Sequence, residues 1–213
     1  MIYRYYLKRL MDIVLSAIAF LLLSPVMLLI AVLVRTKLGS PVIFCQERPG
    51  KDEKIFKMYK FRSMTDARDE NGELLPDEVR LTKFGRALRS TSLDELPELW
   101  NIFKGDMSIV GPRPLLPKDV AYMDQMQHRR HEMRPGLTGL AQVSGRNALT
   151  WDIKLALDVK YVDTCSFIGD VKIFLRTIVK VFRREDIAFE TEGYDMDLKD
   201  WNERKSQQKQ KAM

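Results

Sequence analysis

The sequence predicts an α-rich α/β (α+β) protein: an N-terminal membrane anchor, either a re-entrant helix-break-helix or a kinked span, plus a compact cytosolic domain with amphipathic interfacial helices. Three observations predict it. One apolar run, Ile13 to Val34, stands near the N-terminus, and no other stretch is long enough to cross a bilayer. Short strand-like segments then give way to segments with helical periodicity. Gly and Pro punctuate the middle of the chain and make it loop-rich. At 213 residues, 46% hydrophobic and 30% charged, the chain holds one domain plus appendages, with enough apolar material for a packed core. The expected divisions are an anchor at 1–38, a main domain at 39–190, and a tail at 191–213. The tail ends polar and basic and is expected to be partly disordered.

The anchor comes first. Ile13 to Val34 is interrupted only by Ser16, Ser24 and Pro25. As one helix it is about 33 Å long, enough for a hydrocarbon core of about 30 Å. It is too long for a cleaved signal, and no small-residue cleavage site follows it. Pro25 removes a backbone hydrogen bond near the centre of the run, so Ser24-Pro25 is the expected break. Arg4, Lys8 and Arg9 precede the run, and Arg35 and Lys37 follow it. Positive charge at both ends favours the cytoplasmic side for both. A hairpin dipping into one leaflet satisfies both features; a kinked span satisfies the first alone.

Beyond the anchor, Pro41 to Cys45 reads as a strand closed by a turn at Arg48-Pro49-Gly50. Lys54 to Phe61 alternates basic and apolar residues, as a second strand or an interfacial strip would. Asp66 to Asp77 is a polar loop. Arg80 to Arg89 is helical, and another helix follows Leu93 and ends at Gly105. Val120 to Met133 and Trp151 to Val162 read as helices too. Ile168 to Arg184 is the clearest amphipathic helix. Val171, Phe174, Leu175, Ile178 and Phe182 form one face, and Lys172, Arg176, Lys180 and Arg183 form a basic stripe. Such a helix suits an anionic headgroup layer, or a core packing with a solvated basic side.

The net charge of +6 points to a polyanionic partner: nucleic acid, anionic lipid or a phosphorylated ligand. Cys45 and Cys165 lie far apart and outside any motif, which excludes a disulfide scaffold and suits the cytosol. The chain has no P-loop, no Rossmann fingerprint and no Gly-x-Ser-x-Gly elbow. His128 and His131 are spaced as helical neighbours, but no acidic or cysteine residue accompanies them with zinc-like spacing. They read as surface histidines.

Ser92 to Leu99, SLDELPEL, is the most informative stretch. One reading is a capping box, with Ser92 as cap and Glu95 reaching back. Pro97 then falls beyond the first turn, where its missing N–H is needed; a start at Asp94 removes that difficulty. Either way two acids stand at a helix start, as a cap or as chemistry. Gly111-Pro112-Arg113-Pro114 fixes an arginine on a stiff loop, a form suited to bidentate phosphate binding. Arg134 beside Pro135-Gly136, and Arg146 within Gly145-Arg146-Asn147, are further phosphate candidates.

Taken together, several blocks resemble the bacterial sugar transferases, in particular the small monotopic phosphoglycosyl transferases. They are KFRSM at 60–64, SLDELP at 92–97, KGDMS at 104–108, GPRP at 111–114, RPGLTG at 134–139 and GRN at 145–147. The resemblance runs from about Tyr3 to Arg184. It implies transfer of a phosphosugar from a UDP-sugar to polyprenyl (undecaprenyl) phosphate, releasing UMP. It implies Asp94 as nucleophile and Mg2+ ligand, with Glu95 assisting. Arg113, Arg146, Arg134, Lys60, Arg62 and Arg89 become candidate substrate-binding residues, and 39–190 the catalytic domain. The expected donor is a UDP-linked N-acetylated amino sugar, and the expected location is the cytoplasmic face of the bacterial inner membrane, in contact with phospholipid. Nucleic acid is not an expected partner. The competing class is a non-catalytic basic membrane adaptor, which would bind anionic lipid or nucleic acid in a salt-sensitive way.

Overall fold

The computed structural model describes residues 2–145, 149–183 and 197–211. A π-helical turn at Tyr3–Leu7 leads into α1, Lys8–Lys37. The break expected at Ser24-Pro25 does not interrupt this helix, and the geometry shows why. Pro25 has no N–H to give to Leu21, and the Ser24 hydroxyl donates to that carbonyl instead, at 2.8 Å. The proline is absorbed without ending the helix.

α1 runs along the domain rather than away from it. At its start, the Lys8 ammonium meets Asp170 at 2.6 Å, both side chains buried. The same carboxylate accepts from the Tyr3 hydroxyl at 2.6 Å and the Tyr161 hydroxyl at 2.8 Å. One turn on, Asp12 accepts from the Ser108 hydroxyl at 2.7 Å and the Ile109 N–H at 3.0 Å. Ala19, Phe20 and Leu23 pack on Ile102 and Met107. Ile30, Val34 and Leu38 pack on Phe61 and Leu88. The opposite side is bare: Leu21 and Leu22 are each 73% exposed.

β1 (Ile43–Pro49) and β2 (Ile55–Phe61) form an antiparallel hairpin, with Ile43 opposite Phe61 and Pro49 opposite Ile55. The lysine-apolar alternation is thus a strand. It buries Met58 on one face and Phe61 on the other, and Lys60 shares the face of Met58. The turn lies later than expected, at Lys51–Glu53, where Asp52 and Glu53 both have positive φ.

Two short helices follow, α2 (Asp77–Arg80) and α3 (Lys83–Ser90). The expected single helix from Arg80 is divided because Thr82 caps α3, accepting from the Gly85 N–H at 3.1 Å. A 3-10 turn at Leu93–Glu95 leads into α4, Glu98–Lys104, which Gly105 ends at φ +103°. β3 (Ser108–Val110) and β4 (Gly136–Thr138) form a small parallel pair, an arrangement the glycine- and proline-rich sequence does not announce. A Cβ on Gly111 would lie 2.4 Å from the Arg134 carbonyl, so only glycine permits this close approach of the two loops.

The helix expected from Val120 to Met133 is divided into α5 (Pro117–Val120), α6 (Gln125–His128) and a 3-10 turn at Arg129–Glu132. Asp124 starts the second piece, capping the Gln127 N–H at 2.8 Å. His131, expected at the surface, is buried. α7 is Leu140–Ser144, α8 is Trp151–Thr164 and α9 is Phe167–Arg183. α9 buries Ile173 but leaves Phe174 and Leu175 exposed, so its apolar face does not serve as core. Within the tail, α10 (Leu198–Lys211) is ordered, and Leu198 is buried beside Met123 and Leu155.

Asp170→Ala is expected to strand Lys8 as a buried, unpaired cation. In detergent micelles it should lose about 3–5 kcal/mol in thermal unfolding, against under 1 kcal/mol for Asp163→Ala at the exposed Arg129 pair.

Candidate active site

Asp94 and Glu95 sit in the 3-10 turn before α4. Ser92, the expected cap, adopts φ +55° and its side chain makes no cap hydrogen bond. The capping-box reading therefore fails. A left-handed serine costs about 1 kcal/mol, and here it redirects the chain so that the acids face β2 and the Arg113 loop.

Glu95 is held from both. Lys60 Nζ lies 2.6 Å from its Oε1, and Arg113 Nη2 donates to the same oxygen at 2.9 Å. Lys60 also lies 3.2 Å from Oε1 of Glu98, a third carboxylate that is almost fully buried. By contrast, Asp94 is buried and makes no hydrogen bond among the described residues. The neighbouring acids therefore titrate apart. Burial, followed by the Glu95 charge, raises Asp94 to about 6. Burial also acts to raise Glu95, but Arg113 and Lys60 prevail and hold it at about 2. Burial and the Glu95 charge push Glu98 up to about 7. Adjacent acids with divergent pKa values are the usual sign of divided roles.

Several buried groups hold this arrangement. The Arg130 guanidinium pairs with Asp158 at 2.8 Å and donates from Nη2 to the Arg113 carbonyl at 2.5 Å. Arg48 donates to the Pro114 carbonyl at 3.3 Å. Asn101, fully buried, accepts from the Tyr59 N–H at 3.1 Å and donates to the Lys57 carbonyl at 2.7 Å, fixing the strand that carries Lys60. None of these was marked by a sequence motif.

The remaining sequence candidates divide. Arg89 lies close enough to stabilise the Asp94 anion, while its Nε donates to the Ser63 hydroxyl at 2.9 Å. Arg62 closes on Asp66 at 2.7 Å, not on the carboxylates. Arg134 is not brought to them either. It donates to the Gly105 carbonyl at 2.8 Å, past the far end of α4, next to Arg9, which holds the Ile102 and Phe103 carbonyls. Two arginines thus cap the negative end of that helix. Arg146 lies outside the described residues.

The site therefore combines an unpaired, buried carboxylate with a clamped neighbour and an arginine on a braced loop. The chain as a whole is similar to known proteins. The family described as bacterial sugar transferase matches residues 3–184. The uncharacterized sugar transferase EpsL of Bacillus subtilis is 55% identical over 183 residues, 85% of this chain and 90% of that protein. The UDP-glucose:undecaprenyl-phosphate glucose-1-phosphate transferase of Klebsiella pneumoniae is 40% identical over 82% of this chain. The undecaprenyl-phosphate galactose phosphotransferase of Salmonella typhimurium is 38% identical over 84%. The match covers 40% and 41% of those two longer proteins. The class is a sugar transferase. The chain belongs to the bacterial sugar transferase family.

In protein labelled with carbon-13 at the aspartate carboxyls, Asp94 is expected to titrate near pH 6. Glu95→Gln removes a like charge and frees two cations, so the Asp94 midpoint should fall toward the ordinary value of about 3.9. A midpoint left at 6 would mean that burial alone sets it.

Proposed function

We propose that this protein transfers a phosphosugar from a UDP-sugar to undecaprenyl phosphate at a membrane surface, with Asp94 as nucleophile. The observation that carries the reading is the unequal treatment of Asp94 and Glu95. A nucleophilic carboxylate must be ionised near neutral pH and free of strong hydrogen bonds, and Asp94 meets both requirements. Glu95 keeps Lys60 and Arg113 close by, where a diphosphate needs cations.

In the proposed reaction an Asp94 oxygen attacks the sugar-bearing phosphorus, and the bridging P–O bond breaks to release UMP. An oxygen of the lipid phosphate then attacks the same phosphorus. The Asp94–phosphorus bond breaks, giving the lipid diphosphate sugar and a free carboxylate. Arg113 is placed to steady the phosphoryl charge in both steps. Magnesium, when bound, offsets repulsion between carboxylate and diphosphate. Asp94, lacking a hydrogen-bond partner among the described residues, is the carboxylate suited to hold it.

Three features support a site at the lipid surface. α1 leaves a long apolar side exposed, and α9 adds a second. On α4, Trp100 and Phe103 stack at 5.6 Å, and Phe20 of α1 lies 6.2 Å from Trp100, an aromatic patch suited to the headgroup level. α1 also touches the same domain from Lys8 to Leu38, about 45 Å of helix. A spanning helix must clear about 30 Å of hydrocarbon between its ends. Contact along the whole length favours an anchor held on one side, here the cytoplasmic leaflet of the inner membrane. The phospholipid contact is proposed on the same grounds, as are the limits of the anchor and of the catalytic domain.

The donor is proposed to be a UDP-hexose. The relatives' names include glucose and galactose, and the Aeromonas hydrophila relative's name includes N-acetylgalactosamine. The N-acetylated donor is the first to screen. Purified protein with undecaprenyl phosphate should release UMP from one of these donors, and Asp94→Ala should lose at least about a thousandfold in rate. Full turnover by a correctly inserted Asp94→Ala protein would remove the nucleophile assignment. Free sugar phosphate in place of a lipid product would indicate a hydrolase.

Topology has a separate test. With Cys45 and Cys165 replaced by serine, single cysteines at the exposed positions Ile2 and Ser40 should both label from the cytoplasmic side. Labelling from opposite sides would require a spanning helix.

A further inference from the structure

We propose that Glu53, His128 and His131 form a binding site for a divalent transition-metal ion of the zinc type, separate from the catalytic carboxylates. Glu53 lies in the turn at the tip of the β1–β2 hairpin. His128 ends α6, and His131 lies in the 3-10 turn that follows. Folding thus brings Glu53, distant in sequence, to the histidine pair.

The ligand atoms converge. His128 Nδ1 lies 2.5 Å from Glu53 Oε1, His131 Nδ1 lies 3.3 Å from the same oxygen, and one ligand atom from each residue falls within a 4.8 Å cluster. Bonds of about 2.0–2.2 Å in a tetrahedral zinc site put ligand atoms about 3.3 Å apart. The His131 separation already matches, and His128 needs to open by under about 1 Å. The His131 side chain is 6% exposed, and its Nδ1 has no hydrogen bond despite pointing into the cluster. A buried imidazole nitrogen left without a partner is a cost that a metal would remove. His128 and Glu53 remain 38% and 40% exposed, so an ion has a way in and room for a fourth, water ligand.

The other face of His131 is compatible. Arg130 Nη1 lies 3.4 Å from His131 Nε2 and can only donate, so without metal the ring proton sits on Nδ1. A metal at Nδ1 moves that proton to Nε2, which gives up this long contact and requires the Arg130 Nη1 N–H to turn aside. Arg130 keeps Asp158 through Nε and Nη2, and the Arg113 carbonyl through Nη2. The ion would tie the hairpin carrying Lys60 to the segment that braces Arg113, clamping the two cations of the active site from behind.

The test uses full-length, tag-free protein in detergent, stripped with chelator and dialysed against zinc in excess magnesium. One zinc per chain should be retained, and cobalt in its place should give the visible absorption of a tetrahedral site. Glu53→Gln and His128→Gln, both at partly exposed positions that need not disturb the core, should each weaken zinc binding at least about tenfold. Asp94→Asn should leave it unchanged. The site is refuted if the wild type retains no zinc, or if Glu53→Gln and His128→Gln bind as it does. It is refuted as well if Asp94→Asn abolishes retention, which would place the ion on the catalytic carboxylates.

Discussion

The active site depends on an imbalance of charge. Asp94, Glu95 and Glu98 lie within five residues, and Lys60 is shared between the last two while Arg113 goes to Glu95. Two ion-pairing cations cannot satisfy three closely spaced acids. The shortfall falls on Asp94 and Glu98, whose pKa values rise, while Glu95 takes the ion pairs. Full pairing of Asp94 would stabilise the fold but leave a poor nucleophile. The unpaired carboxylate is a local instability that the rest of the domain must carry.

The bracing is rigid and mostly polar. Asn101 joins α4 to β2, and so sets how far Lys60 stands from Glu95. Three backbone N–H groups, from Gly105, Asp106 and Met107, converge on the Asn101 carbonyl and close the helix end. Arg130 and Asp158 do the equivalent for the Arg113 loop, their charges buried as a pair. A buried pair of this kind adds little net stability compared with an apolar isostere. Its contribution here is placement, because the Arg130 fork fixes the backbone carbonyl of Arg113 itself.

The sequence revealed those parts of the site whose geometry is local. Lys60 stood out through the KFRSM block, Arg113 through its flanking prolines, and Asp94-Glu95 through their position before Pro97. What was hidden depends on pairs far apart in the chain. Glu53 meets His128 across 75 positions, Arg130 meets Asp158 across 28, and Lys8 meets Asp170 across 162. Such pairs leave no period or spacing to read. Arg134 lies apart from the carboxylates for a related reason: an arginine beside Pro-Gly suits a phosphate, but here it donates to the Gly105 carbonyl at the end of α4. Pro25 misled in the other direction, because the compensating hydroxyl comes from its own neighbour, Ser24.

α4 connects these elements. Its first turn follows Asp94 and Glu95, its outer face carries Trp100 and Phe103 beside Phe20 of α1, and its end is held by Arg9 from α1 and by Arg134. α1 is fixed independently at its start, through Lys8 and Asp12. A shift of the anchor relative to the domain would therefore move α4, and with it the turn bearing Asp94. A lipid phosphate stays at headgroup depth because withdrawing its chain costs about 0.8 kcal/mol per CH₂. In the proposed reaction Asp94 must be held at that same depth. Arg9 capping α4 from within α1 gives the fold a direct means of doing so, since the helix proposed as the membrane anchor also holds the helix that positions the acid.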